Sequence, residues 1–82
     1  MNPGHLLMDA GNTSLKLCFE DELAIPKIDV RRHGSYEIKN VLQRIHESRE
    51  IGRLSLSCVY HQAFSEQVAD WCSSRQIKLL IA

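Results

Sequence analysis

Asp9, Asn12, Thr13, Ser14 and Lys16 cluster around Gly11 in one short stretch, and between them they carry the groups needed to handle a phosphate. In Met8-Asp9-Ala10-Gly11-Asn12-Thr13-Ser14-Leu15-Lys16 an apolar run stops at a carboxylate, turns through Gly-Asn and leaves as a segment alternating polar with apolar. Backbone N–H groups at such a turn, the Asn12 amide and the Thr13 and Ser14 hydroxyls can all donate to an anion. A bare carboxylate repels phosphate, so Asp9 beside that cradle reads as the ligand of a divalent cation lying between the two. Lys16 offers a positive charge farther along. The rival reading is a plain hairpin, with Asp9 and Asn12 serving turn geometry and Lys16 a solvated strand residue.

Positioning these groups requires a strand on each side of the turn. Leu6 to Asp9 is a short apolar strand, and from Thr13 to Glu20 the residues Thr13, Leu15, Leu17 and Phe19 share one face while Ser14, Lys16, Cys18 and Glu20 share the other. Gly11-Asn12 between them predicts a two-residue hairpin turn, in which both residues adopt positive φ. Acidic Glu20-Asp21-Glu22 marks an exposed turn, and Leu23 to Arg32 reads as a third strand, with Pro26 assigning it to an edge or a bulge. Ser35 is the expected N-cap of a helix whose apolar face is Ile38, Val41, Leu42 and Ile45, with Gly52 as its terminator. Arg53 to Val59 alternates as a fourth strand. Gln62 to Ser74 is a second amphipathic helix with Phe64, Val68, Trp71 and Cys72 inward. The nearly all-apolar Ile77 to Ala82 reads as a central, parallel fifth strand.

Size and charge exclude several functions. The 82 residues, 44% of them hydrophobic, suffice for one domain, and a chain this short buries roughly 60% of its unfolded surface. Ten basic residues balance ten acidic ones, which argues against a nucleic-acid footprint; Arg31-Arg32 is too short to make one. Cys18, Cys58 and Cys72 form no CxxC pair, and His5, His33, His46 and His61 are widely scattered. No zinc site is expected, the histidines read as surface or helix-end residues, and the thiols as core groups of a reducing cytoplasm. The opening Met1-Asn2-Pro3-Gly4-His5 has neither a basic leader nor a membrane-length apolar run.

The order βββαβαβ, with a three-stranded antiparallel start and two right-handed helical crossovers, resembles the ribonuclease H-like core shared by actin-type sugar kinases and heat-shock ATPases. That resemblance implies an α/β half-domain with a mixed sheet in the order 3-2-1-4-5, flanked by helices. Asp9-Ala10-Gly11-Asn12-Thr13 is similar to the opening Asp-x-Gly-Asn-Thr of type III pantothenate kinases. Ser57-Cys58-Val59 is similar, more weakly, to the Ser-Ser-Val or Ser-Val-Val run ending that family's fourth strand, although Tyr60-His61 stands where the family usually has proline.

The resemblance implies transfer of the ATP γ-phosphate to pantothenate, the first committed step toward coenzyme A, by a cytoplasmic homodimer that uses Mg²⁺ and a monovalent cation such as K⁺. Asp9 would hold Mg²⁺ through water, Gly11, Asn12, Thr13 and Ser14 would line the phosphate, and Lys16 would offset its charge. The family's Gly-x-Asp-Arg segment, source of the catalytic base, and its second Asp-x-Gly-Thr motif do not occur in these residues. A general base contributes roughly 10²–10⁴ in rate, so the chain is expected to be the amino-terminal nucleotide-binding part of a longer two-domain kinase and inactive by itself. A non-catalytic regulatory or scaffold paralogue and a small self-associating structural domain are the alternatives.

Overall fold

The alternation of apolar and polar residues becomes one five-stranded sheet in the computed structural model, which describes residues 3–22 and 28–82. Its strands are β1 (Gly4–Ala10), β2 (Ser14–Phe19), β3 (Asp29–Arg32), β4 (Ile51–Cys58) and β5 (Lys78–Ile81), in the order β3-β2-β1-β4-β5. β1 pairs antiparallel with β2, as β2 does with β3, whereas β1–β4 and β4–β5 are parallel. Helix α1 (Ile38–Ser48) connects β3 to β4, and α2 (Gln62–Ser74) connects β4 to β5. This is the mixed α/β fold and the 3-2-1-4-5 sheet order that the resemblance implies, with β1 in the middle.

Leu6, Met8 and Ala10 of β1, Leu15, Leu17 and Phe19 of β2 and Leu54 and Leu56 of β4 form one core with Ile38, Val41 and Leu42 of α1 and Phe64, Val68, Trp71 and Cys72 of α2. Both helices therefore cover the same face of the sheet. A fully buried side chain such as Leu42 or Leu54 stabilises by about 1.5–3 kcal/mol. The opposite face carries His5, Leu7 and Asp9 of β1, Ser14, Lys16 and Cys18 of β2, and Arg53, Ser55 and Ser57 of β4, all half-buried or exposed. A trough of about 450 Å³ runs across it, with Leu7, Cys18 and Leu80 along its floor and Asp9, Lys16 and Ser57 at one end.

Several boundaries differ from expectation for local reasons. Thr13 lies in the turn and is exposed rather than on the inward face of β2. Only Asp29–Arg32 of the expected third strand is a described strand; Pro26 lies outside the described residues. Ser35 does not cap α1, since its Oγ donates to the Arg32 carbonyl at 2.5 Å and the N-cap is Glu37 without a side-chain bond. Nor does Gly52 end that helix. The chain leaves α1 at Arg49, the His46 ring nitrogen Nδ1 accepts the Ile51 N–H at 3.0 Å, and Gly52 is the extra residue of a bulge in β4. A Cβ there would come within 2.5 Å of the Pro3 side chain, which explains the glycine.

The fifth strand is parallel but lies at the sheet edge, not in the centre. Leu80 and Ile81 are 42% and 60% exposed, because the face and edge they line are uncovered. Cys72 is a buried thiol, whereas Cys18 and Cys58 are only half-buried. Among the described residues no helix is long and apolar enough to cross a membrane.

Candidate functional site

Asp9 leaves the carboxyl end of β1, the central strand, with its side chain exposed on the open face. Strand pairing sets its neighbours. Lys16 stands opposite it across β2 and Ser57 beside it on β4, so three polar side chains from separate parts of the sequence meet at one end of the trough. One strand farther out, Arg32 pairs with Ser14 and adds a second exposed cation next to the turn.

The turn itself is built differently from the predicted one. Neither Gly11 nor Asn12 has positive φ, a conformation found only at Gly34 and Gln76 among the described residues. The Gly11 N–H donates to the Ser14 carbonyl at 3.0 Å, but the reverse bond, from Ser14 N–H to the Gly11 carbonyl, is not made. That carbonyl instead takes the Nε2 of His33 at 2.7 Å. Among the described residues no group of the protein accepts from the N–H of Asn12, Thr13 or Ser14. Three successive peptide donors thus stand at an exposed turn beside Asp9, an arrangement suited to anion binding.

His33 was not foreseen in this role. Its own N–H donates to the Thr13 carbonyl at 3.0 Å, its Nδ1 lies 2.6 Å from the Tyr36 hydroxyl, and its ring stacks on Tyr60 at 3.7 Å between centroids and 2° between planes. Phe64 meets both rings edge-on. Because a carbonyl can only accept, Nε2 carries the proton, and a neutral ring then accepts from Tyr36 O–H at Nδ1. Burial, with smaller contributions from Tyr60 and Cys58, pushes the Tyr36 hydroxyl up to about 12, which keeps it a donor. The nearest signal in the sequence is the Arg32-His33-Gly34 run, which has no periodicity to mark it.

At the other end of the open face, His5 bridges strands in a similar way, with Nε2 at 2.7 Å from Ser55 Oγ. Its Nδ1 is 2.9 Å from a Glu20 carboxylate oxygen, out of line for a hydrogen bond.

A cation between Asp9 and a phosphate fits this donor set within limits. Among the described residues no group of three His, Cys, Asp or Glu side chains converges into a metal cage. Mg²⁺ held by one carboxylate, waters and substrate phosphates does not require one. Gly11 is informative for another reason: its φ is ordinary, and the nearest atom to a Cβ built there is the Ser14 carbonyl oxygen at 3.6 Å. Neither its conformation nor its packing against the described residues calls for glycine. Comparison with family models, with curated proteins and with solved structures finds no match for this chain.

Proposed function

We propose that this chain is the phosphate-binding wall of a nucleotide site in a kinase of the type III pantothenate kinase kind. The observation carrying this reading is the row of unpartnered N–H groups at Asn12, Thr13 and Ser14, next to an exposed carboxylate at the end of the central strand. Donors in a row bind a polyphosphate, and Asp9 positions Mg²⁺ against it through water. The absent side chain of Gly11 lets a phosphate oxygen approach the backbone. Lys16 and Arg32 offset charge that phosphoryl transfer spreads over several oxygens. ATP is the donor and pantothenate the acceptor in this reading, with a cytoplasmic homodimer as the working form and a monovalent cation such as K⁺ assisting. The base that deprotonates the acceptor is not assigned to any residue here, so the chain binds Mg-ATP without turning it over.

Titrating Mg-ATP into the wild-type chain and into Asp9→Ala by calorimetry tests the proposal. Saturable heat from the wild type, reduced about tenfold or more in affinity by the substitution, is expected, equivalent to at least ~1.4 kcal/mol. Equal heats from both would remove Asp9 from the site.

A second reading has an observation of its own. Ile28, Val30, Leu80 and Ile81 are exposed apolar residues on the outer strands or beside them, a composition that promotes pairing between copies. Light scattering that finds a strict monomer at high concentration would dismiss self-association.

A further inference from the structure

We infer that His33 is a positioning residue for the Gly11–Ser14 turn, acting by drawing the Gly11 carbonyl away from the Ser14 N–H that would otherwise close the hairpin on it. This rests on the phosphate-binding reading above and deepens it. In an ordinary two-residue hairpin the residues flanking the turn exchange two hydrogen bonds, and Ser14 N–H would be spent on the Gly11 carbonyl. Here that carbonyl is drawn to the His33 imidazole at 2.7 Å. Ser14 N–H is thereby released to join those of Asn12 and Thr13, and the donor row gains its third member.

The imidazole is itself held from three sides. Its backbone N–H is tied to the Thr13 carbonyl, its Nδ1 to the Tyr36 hydroxyl, and its ring face to Tyr60. The Tyr36 bond has a chemical role: by donating to Nδ1 it selects the tautomer whose proton lies on Nε2, facing Gly11. Tyr60, in the loop before α2, and Phe64, at the start of α2, fix the ring plane. Through His33, which follows β3, the loop before α1 and the β4–α2 connection thus support one hydrogen bond to a carbonyl oxygen of the turn. The ligand class this arrangement favours is a phosphate chain able to accept several N–H bonds at once.

The test compares His33→Phe, which keeps an aromatic ring for Tyr60 but has no donor, with His33→Gln, whose amide can donate to the same carbonyl. Two readouts are needed: the ¹⁵N–¹H resonances of Asn12, Thr13 and Ser14, and Mg-ATP affinity by calorimetry. His33→Phe should move those three resonances and weaken Mg-ATP about tenfold, and His33→Gln should recover most of both. Tyr36→Phe should give a smaller change of the same sign. Turn resonances and affinity unchanged in His33→Phe would overturn the inference. Should the wild type bind no Mg-ATP while the resonances still shift in His33→Phe and return in His33→Gln, the positioning role stands and the nucleotide reading falls. If His33→Phe does not fold, His33→Gln and Tyr36→Phe carry the comparison, and turn resonances unchanged in Tyr36→Phe then count against the role.

Discussion

Asp9 and Lys16 stand directly opposite each other across β1 and β2, both exposed on the uncovered face, yet they form no ion pair. The lysine is therefore not committed to neutralising the carboxylate, and each charge can serve a ligand. A single exposed charge contact contributes about 0.2–1 kcal/mol. Lys16→Ala should accordingly leave the melting temperature unchanged and weaken Mg-ATP roughly two- to fivefold at low salt, with the difference shrinking as salt is added. Parallel calorimetric titrations at two ionic strengths check this.

Gly11 separates the needs of the fold from those of a ligand. With ordinary φ and no atom nearer than 3.6 Å to a built Cβ, Gly11→Ala should fold normally and gain about 0.4–1 kcal/mol from a less flexible unfolded chain. Its Mg-ATP affinity should fall by about tenfold or more. Urea denaturation together with calorimetry reads both effects, and a variant that is stabilised with full affinity would show that nothing approaches this backbone.

Gln76 ends α2 in the left-handed region, φ 57°, where its N–H reaches the Ser73 carbonyl at 3.2 Å and the next N–H, from Ile77, reaches Cys72 at 2.9 Å. That pattern of C-terminal bonds favours glycine at the left-handed position. Gln76→Gly should raise stability by about 0.5–1 kcal/mol in urea titrations, without altering the turn resonances of Asn12 to Ser14.

Arg49 stacks over Phe19, 4.2 Å to the ring centroid, and donates to both carboxylate oxygens of Asp21. The hydrogen bond from Arg49, opposed by desolvation and aided by its charge, holds the Asp21 carboxyl below its ordinary value of 3.8. Since the folded-state value is the lower one, the pair's contribution is present above pH 3.8 and is lost as pH falls through the depressed value. The stability gap between wild type and Arg49→Ala should therefore narrow in acid. What remains there measures the stacking on Phe19. Urea midpoints for both proteins from neutral pH down to acid would show it.

Periodicity made most of the fold legible. Leu15, Leu17 and Phe19 alternate, and Ile38, Val41, Leu42 and Phe64, Val68, Trp71, Cys72 recur at helical spacing, because each lies on an element with one buried face. What escaped was set by partners distant in sequence. A glycine shortly after a helical pattern resembles a terminator, but Gly52 serves Pro3, which crosses over it. An apolar run resembles a central strand, but β5 is apolar beside a face the chain leaves open. Asp9, Lys16 and Ser57 meet through strand register, so the placement of Asp9 beside the turn could be read from adjacent residues while its company with Ser57 depended on a parallel pairing. His33 was the hardest to anticipate, since its partner is the backbone of Gly11, and a backbone carbonyl has no residue type to signal it.

The hold of His33 on the turn also bears on the order in which the molecule assembles. The β1–β2 hairpin is the most local pairing in the sheet, and local contacts form early because little chain entropy is spent on closing them. The turn that hairpin carries gains its final hydrogen bond only when β3 docks and the connection after β4 brings Tyr60 against the imidazole. A site whose last bond depends on late-forming, distant pieces binds ligand only after folding is complete, so the onset of binding during refolding would time the final step of assembly.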